Sequence, residues 1–268
     1  MSRVVDLLFP PICAGCGDPV PYPDLSVPPE ALCPACRKAW NEARAELCVI
    51  CGKPVSECNC VPEALTSAGC DSFRKLVFYR PGNRNEVQNR VIYRIKDRAD
   101  SAAVAFLARE LSEAIRETLN GRDVGANGVF LTYLPRGKRA VAKSGTDQAK
   151  ELATALSQRL EIPLYRVISR RFWHSKPQKL LSTADRKKNA KAAFRIRPSE
   201  DIRGKCAILV DDIVTSGASM SAAVRLLRRE GVKQFLSVAV ASDENNRQPV
   251  AKQRSLDGEL DRIYLRTR

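Results

Sequence analysis

Eight of the ten cysteines lie between Cys13 and Cys60, and their spacing constrains the fold of this chain more than any other feature. Three Cys-x-x-Cys pairs are followed by one Cys-x-Cys pair, in turns rich in glycine and proline such as "CAGCGDP" and "CGKP". This spacing lets two thiolates converge on one metal ion from a tight turn. We therefore predict two zinc sites, each bound by four thiolates.

The simplest pairing of the cysteines follows the order of the chain. One site then has Cys13, Cys16, Cys33 and Cys36 as ligands, and the other has Cys48, Cys51, Cys58 and Cys60. A cross-braced pairing, in which the first and third pairs share an ion, is also open. Four thiolates leave no position for water, so the zinc is expected to be structural. The chain start lacks a signal-peptide pattern, which predicts a cytoplasmic protein with reduced thiols rather than a disulfide framework.

Apolar runs and helical patterns alternate from residue 72 to residue 242. Runs such as "GVFLTYL" and "KCAILV" are continuously apolar, as in strands buried on both faces of a parallel sheet. We predict an α/β fold, with a Rossmann-like parallel-sheet domain at 63–242. A small zinc-ribbon module at 1–62 precedes it, and a polar tail at 243–268 follows. We also predict a helix at "SAAVAFLARELSEAIRETL", a basic loop at "RGKRAVAKSG", a strand at "PLYRVI", a helix near "ADRKKNAKAAF" (184–194) and a final strand at "QFLSVAVAS". No internal repeat is apparent.

The stretch "AILVDDIVTSGAS" places Asp211 and Asp212 at the end of an apolar strand. Ligands of open parallel sheets bind beyond the carboxyl ends of strands, and a helix N-terminus attracts phosphate. A ribose 5-phosphate would satisfy both the acids and the small-residue loop that follows. A Walker B element is disfavoured because the chain has no G-x-x-x-x-G-K-S/T; a plain strand with a helix cap is the other alternative. The loop residues are Thr215, Ser216, Gly217, Ala218 and Ser219.

The formal net charge of +15 favours an anionic partner such as a nucleotide or nucleic acid. Between Tyr165 and Arg197 there are eleven lysines and arginines against one acid, a local excess of ten. A basic protein without a special partner is the alternative explanation. No apolar run approaches the ~20 residues of a membrane span, so we predict that none is present.

The stretch "ILVDDIVTSGAS" resembles the ribose-phosphate motif of type I phosphoribosyltransferases, in which two adjacent acids precede a T-x-G-x-S/T loop. The chain as a whole resembles the ComF competence proteins, which join a double zinc ribbon to a phosphoribosyltransferase-type domain. The matching stretches are "LFPPICAGCG", the cysteine series, "YLPRGKRAVAKSGTDQAKELATAL" and "PQKLLSTADRKKNAKAAF". The resemblance extends to about residue 242.

This resemblance implies that the chain binds phosphoribosyl pyrophosphate with Mg²⁺ and acts in DNA uptake or nucleic-acid handling. The loop 215–219 would hold the 5-phosphate, and Asp211 and Asp212 would orient the ribose hydroxyls and stabilise charge on the ring. The basic stretch 170–191 would close over the site. As an enzyme, the chain would transfer a phosphoribosyl group to an acceptor that the sequence does not identify. Type I enzymes bind pyrophosphate at a position occupied here by Arg136, Gly137, Lys138 and Arg139.

The chain departs from the family pattern at "KSGTDQ" (143–148), where an R-G-F-N-Q type element is usual. This difference weakens the case for ordinary catalysis more than the case for binding. Two other functions remain open. One is a non-catalytic factor that binds single-stranded DNA through the charge cluster. The other is an accessory protein whose zinc module docks on other DNA-uptake proteins.

Overall fold

The computed structural model describes residues 10–20, 30–70, 72–98, 100–120, 128–171, 193–197 and 201–243, without the side chains of 97 and 98. The main sheet has four strands, β1 (Phe73–Tyr79), β2 (Val129–Tyr133), β5 (Cys206–Val214) and β6 (Gln234–Asp243). An antiparallel ribbon pairs β3 (Ile168–Arg170) with β4 (Phe194–Ile196). The helices are α1 (Pro34–Ala45), α2 (Glu63–Thr66), α3 (Val87–Arg98), α4 (Ser101–Asn120), α5 (Lys138–Ser144), α6 (Gln148–Leu160) and α7 (Ala218–Arg229).

All pairings within the main sheet are parallel, and the strand order is β1-β6-β5-β2. The strand β5 therefore lies inside the sheet, between β6 and β2. Beyond β2, the chain adds a further parallel bridge between Leu131 and Leu164. The predicted strand "PLYRVI" is thus reduced to this bridge, and regular pairing begins only with β3 at Ile168.

Helices cover both faces of the sheet, which confirms the predicted α/β fold class. Alternate residues of β5 point to opposite layers because side chains alternate along a strand. Ile208 and Val210 belong to the apolar cluster that contains α4 and α6 residues, whereas Ala207 and Leu209 belong to the cluster on the α7 side. Within the described parts of the chain, no helix has the length and apolarity needed to cross a bilayer.

The cysteine-rich module packs directly on the α/β domain. The fully buried indole of Trp40 on α1 meets the ring of Phe106 on α4 edge-on, with centroids 5.2 Å apart. The buried carboxylate of Glu110 on α4 accepts a hydrogen bond from Arg44 and lies 3.7 Å from Arg37. Because both arginines come from α1, one apolar contact and one charged cluster join the module to the domain.

The stretch "RGKRAVAKSG" was predicted to be a loop, and this prediction is wrong. Residues Lys138–Ser144 form α5, which ends at Gly145 with φ 75°. Lysine, arginine and alanine are good helix formers, and glycine readily adopts the left-handed conformation at a helix end. The helix predicted near 184–194 lies mostly outside the described residues, and Phe194 itself belongs to β4.

The two halves of the cysteine module contain a short structural repeat. The segments "ICAGCGDPV" and "LCVICGKPV" form the same turn. In each, the first cysteine amide donates to the carbonyl five residues later at 2.8 Å, from Cys13 to Asp18 and from Cys48 to Lys53. Five of the nine residues are identical in the two segments, so residue identity and hydrogen bonding define the same short repeat.

Candidate functional site

The eight predicted zinc ligands form two groups of four in the order of the chain, and all sulfur atoms of a group lie within 4.8 Å of one another. Cys16 and Cys33 have their sulfur atoms 3.8 Å apart, and Cys48 and Cys60 have theirs 3.9 Å apart. A tetrahedral site with Zn–S bonds of ~2.3 Å has sulfur–sulfur edges of ~3.8 Å, whereas a disulfide bond measures ~2.05 Å. The donor groups fit structural zinc, and their grouping is sequential rather than cross-braced.

The thiols of these groups differ in acidity. Burial raises the pKa of Cys13, but the backbone amides of Cys33, Cys16 and Gly15 outweigh it and lower that pKa to about 7. Burial raises the pKa of Cys16 to about 11 and moves that of Cys36 upward as well. Four crowded thiols do not ionise together without a cation among them. Zinc supplies that positive charge, so its binding also releases protons.

The acid pair lies where β5 extends beyond the end of β2. The register of β2 ends with Tyr133 opposite Val210, while β5 continues its pairing with β6 beyond Asp211 to Val214. The amide of Leu134 still donates to the carbonyl of Val210 at 3.1 Å. Beyond that hydrogen bond, the loop that follows β2 is adjacent to the acid pair at the carboxyl edge of the sheet.

Each acid turns its carboxylate back toward the chain. Asp211 accepts a hydrogen bond from the amide of Asp212 at 2.9 Å, and Asp212 accepts one from the amide of Ile213 at 2.8 Å. Burial, and then the negative charge of Asp212, raises the pKa of Asp211 well above its usual value. A partly buried acid beside a second acid is costly to ionise, so this pair favours a positively charged or hydroxyl-bearing ligand.

The small-residue loop connects the acid pair to α7. Gly217 has φ 68°, a left-handed conformation that residues with a side chain rarely adopt. A Cβ atom at Gly217 would lie 3.4 Å from the Cβ of Pro62, so the loop also packs against the segment leading into α2. Thr215 and Ser216 are exposed, and the hydroxyl of Ser216 accepts from the amide of Ala218 at 3.4 Å. Ser219 is half-buried in the first turn of α7.

The predicted pyrophosphate loop lies beside the acid pair. Arg136 donates through its guanidinium to Ser144, at 3.1 Å, and to Gln148, and its backbone amide donates to Asp147 at 3.0 Å. These contacts tie the loop to α5 and α6. Gly137 precedes α5, and Lys138 and Arg139 are exposed in the first turn of that helix.

Two cations lie near the acid pair: Lys96, which the sequence did not point to, and Arg170, which begins the basic stretch 170–191 predicted to close over the site. Most of that stretch, 172–192, lies outside the described residues. Lys96 on α3 places its Nζ atom 3.5 Å from a carboxylate oxygen of Asp212. Arg170 on β3 lies against Gly137, whose added Cβ would meet Arg170 Nε at 3.7 Å. Burial lowers the pKa of Arg170, and the negative charge of Asp211 partly opposes that shift. Lys96 is not marked by a local motif, because it comes from a segment distant in sequence.

Comparison with known proteins assigns both halves of the chain. The double zinc ribbon domain matches residues 4–71, and the phosphoribosyl transferase domain matches residues 140–260. Competence protein F of Haemophilus influenzae is 35% identical over 94 residues, which cover 35% of this chain and 41% of that protein. The two matched domains, together with this similarity, support the resemblance to the ComF proteins. They also confirm the domain types and a structural role for zinc.

The ComF-family match spans less than half the length of that relative. Its function therefore comes to this chain only as a proposal. The residues 72–139 lie between the two matched domains, yet they supply β1 and β2 of the same sheet as β5 and β6. Lys96 and the loop of Arg136 belong to this intervening segment.

Two solved structures show weak similarity to this chain. A hypoxanthine phosphoribosyltransferase of Staphylococcus aureus is 15% identical, with 56% of this chain and 69% of that chain covered and a TM-score of 0.34. Phosphoribosylpyrophosphate synthetase of Mycobacterium smegmatis is 20% identical, with 50% and 33% covered and a TM-score of 0.32. Because both TM-scores are below 0.5, the fold assignment rests on the sheet topology and the matched domains.

Proposed function

We propose that this chain is a ComF-type protein that binds Mg²⁺–phosphoribosyl pyrophosphate at the carboxyl edge of its sheet and acts in DNA uptake or nucleic-acid handling in the cytoplasm. The observation that carries the proposal is the position of Asp211 and Asp212. The acid pair lies between a glycine-containing loop that leads into α7 and a basic loop that follows the neighbouring strand β2. A sugar with a phosphate on one side and a pyrophosphate on the other suits this arrangement.

Each part of the ligand has complementary groups in the proposed site. The loop 215–219 holds the 5-phosphate through hydroxyls and through backbone amides at the start of α7. Asp211 and Asp212 accept hydrogen bonds from the ribose hydroxyls. Lys138 and Arg139 supply exposed positive charge for the pyrophosphate, and Arg136 adds charge while it holds the loop to α6.

Lys96 and Arg170 complete the electrostatics of the proposed site. The ion pair between Lys96 and Asp212 supplies a cation to the acid pair before ligand binds. Ligand hydroxyls or the Mg²⁺ that accompanies the substrate can take over this role, which would leave the ammonium group available to the pyrophosphate. In a transfer reaction, the acid pair would also stabilise positive charge that develops on the ribose ring. The acceptor would attack the anomeric carbon as pyrophosphate leaves.

Calorimetric titration of the zinc-loaded protein with Mg²⁺–phosphoribosyl pyrophosphate tests this proposal. The double variant Asp211→Asn/Asp212→Asn preserves side-chain size and removes both negative charges. Loss of two charge-assisted contacts should weaken binding at least ~100-fold. Asp201→Asn, which neutralises an exposed acid of the same domain, is the control and should bind as the wild type does. Absence of binding by the folded wild-type protein would refute the proposal.

A second candidate function is binding of single-stranded DNA. Among the described residues, a cavity of about 270 Å³ on α7 is lined by Ala222, Arg225, Leu226 and Arg229. Two arginines beside apolar surface are suited to the phosphates and bases of a single strand. In a fluorescence titration, log K should fall with log salt by ~0.7 per phosphate contacted. Arg225→Gln/Arg229→Gln should make that slope shallower, whereas Lys38→Gln on α1 should not.

A further inference from the structure

Lys75 has an unusual position for a lysine, because its side chain is fully buried in the middle of β1. Its ammonium nitrogen lies 3.2 Å from the sulfur of Cys58 and 3.5 Å from the carbonyl oxygen of the same residue. Within the described chain, these two atoms are its hydrogen-bond acceptors. The face of the Phe73 ring, with its centroid 5.4 Å from Nζ, is a further neighbour.

The first cysteine group has a different set of hydrogen-bond donors. The sulfur of Cys13 accepts from the backbone amides of Gly15 at 3.3 Å and Cys33 at 3.2 Å. In the second group, the sulfur of Cys58 accepts from the amide of Cys60 at 3.4 Å and from the ammonium group of Lys75. The first group therefore has neutral donors on its most enclosed sulfur, whereas the second has a full positive charge.

A zinc ion with four thiolates has a net charge of −2, because each thiolate contributes one negative charge. Burying such a centre is costly unless positive charge lies nearby. A buried lysine has the opposite problem, since its charge is costly unless an anion lies nearby. The contact between Cys58 and Lys75 meets both requirements at once.

We propose that Lys75 is a positioning residue for the second zinc centre, the one formed by Cys48, Cys51, Cys58 and Cys60. Its charge stabilises the zinc-bound thiolates, and the thiolates in turn make the buried lysine tolerable within β1. Zinc in this centre thereby stabilises the edge strand of the α/β sheet, beyond its role in folding the ribbon. Among the described residues, the hydrogen bonds to Cys13 in the first centre come from backbone amides, so the two zinc ions should differ in their dependence on Lys75.

Zinc release from the full-length, zinc-loaded protein tests the proposal. Lys75→Met keeps a long apolar side chain and removes the charge, and Lys75→Arg keeps the charge. Lys53→Met removes an exposed charge from the same ribbon and is the matched control. A chromogenic chelator measures the rate of zinc loss, and alkylation with mass-spectrometric mapping identifies which cysteines become accessible.

Lys75→Met should release zinc from the second centre ~10- to 100-fold faster, as is typical when a group that supports a metal ligand is lost. Release from the first centre should remain unchanged. Lys75→Arg should restore most of the retention, and Lys53→Met should behave as the wild type. Equal release rates for the wild type and Lys75→Met would overturn the proposal. Release from Lys75→Arg as fast as from Lys75→Met would also overturn it, because shape rather than charge would then matter.

Thermal unfolding provides a second readout that a purely structural role of Lys75 would not produce. Removal of zinc leaves the wild-type lysine buried without its anionic partner. The difference in Tm between zinc-loaded and zinc-stripped protein should therefore be smaller for Lys75→Met than for the wild type or Lys53→Met. Should Lys75→Met fail to fold with zinc, a folded, zinc-retaining Lys75→Arg would support the proposal. Failure of both variants to fold would assign Lys75 a packing role and overturn it.

Discussion

The zinc module and the acid-pair site are built in opposite ways. All eight zinc ligands come from 48 consecutive residues, and each group of four is assembled from two short turns. The acid-pair site instead combines Lys96 from α3, Arg136 from the loop after β2, Arg170 from β3, and the two acids of β5. The module thus depends on local spacing, whereas the site depends on the sheet that brings distant segments together.

This difference predicts where each region is vulnerable. Metal–thiolate bonds dominate the stability of the module, since a small ribbon contains too few apolar residues to fold without them. The acidic groups of the acid-pair site lower the stability of the ligand-free protein and are stabilised when a ligand binds, as is common at functional sites. The two regions are nevertheless joined by the contact of Trp40 with Phe106.

Removal of zinc should destabilise the zinc module more than any other change considered for the two regions. Structural zinc contributes ~10–16 kcal/mol of apparent free energy per site in small modules. We expect two zinc ions per chain by elemental analysis, and we expect chelation to unfold the module and lower the Tm of the whole protein. Cys70→Ser, outside both ligand groups, should leave the zinc content at two. A stoichiometry of one or none would contradict the two-centre geometry.

Trp40→Ala tests whether the module and the domain are energetically separate. Deleting a fully buried tryptophan side chain costs ~3–5 kcal/mol, and its contact with α4 means that the α/β domain should share this loss. Urea unfolding should shift as one transition. Val49→Ala, at an exposed position between Cys48 and Cys51, should change the free energy of unfolding by less than ~0.5 kcal/mol. Unchanged unfolding of the domain in Trp40→Ala would show that the regions are independent.

Asp211→Asn should stabilise the ligand-free protein at neutral pH. Burial, followed by the charge of Asp212, raises the pKa of Asp211. The folded state therefore binds this proton more tightly than the unfolded chain does. The favourable contribution of Asp211 to stability is largest near and below the ordinary aspartate pKa of ~3.9. This contribution is lost as the pH rises through the elevated pKa of Asp211 in the folded protein.

Asparagine removes this dependence, and one pKa unit corresponds to ~1.4 kcal/mol. We therefore expect a Tm at pH 7.5 that is higher by at least ~2–4 °C, together with a flatter profile of Tm against pH. Differential scanning calorimetry over pH 4–8 measures both. A lower Tm of Asp211→Asn than of the wild type at pH 7.5 would show that ionised Asp211 stabilises the fold. That result would contradict the expectation that ionisation of Asp211 is unfavourable in the folded protein.

Gly217→Ala should have the smallest effect on stability and a specific effect on binding. A side chain in the left-handed conformation costs ~1–2 kcal/mol, and φ at Gly217 is 68°. Gly82→Ala is the matched control, because Gly82 has φ 84° and open space around its Cβ position. Thermal unfolding should show similar losses for both variants. Only Gly217→Ala should weaken phosphoribosyl pyrophosphate binding, and equal binding by both variants would remove the loop from the proposed site.

Much of the fold was predictable because its patterns are local. Continuous apolar strands between amphipathic helices predicted the parallel sheet, and the runs that became β5, β6 and α4 were identified correctly. The helix α5 was missed because a basic segment near a proline and two glycines resembles a loop. Its lysines, arginine and alanines are nevertheless good helix formers. The repeat of the two cysteine turns was missed because it is only nine residues long and lies outside the alternating strands and helices.

The candidate site was only partly predictable. Asp211, Asp212 and the loop 215–219 stand together in the sequence, so their proximity followed from the strand-to-helix pattern. The sequential grouping of cysteines, by contrast, was one of two open pairings until the sulfur positions were known. Lys96 and the buried Lys75 have no local signature, and Arg170 was marked only as part of the basic stretch 170–191. Their positions follow from strand order and helix packing.

The sequence by itself determined the ligand set for zinc, the fold class and the acid-pair motif. These depend on residue types at short spacings, which the chain's own covalent geometry brings together. Only the tertiary structure decided which cysteines share an ion, which cations face Asp211 and Asp212, and why a lysine is buried in β1. Each of these contacts joins segments whose proximity arises from burial of apolar surface between layers, and no local pattern encodes that proximity.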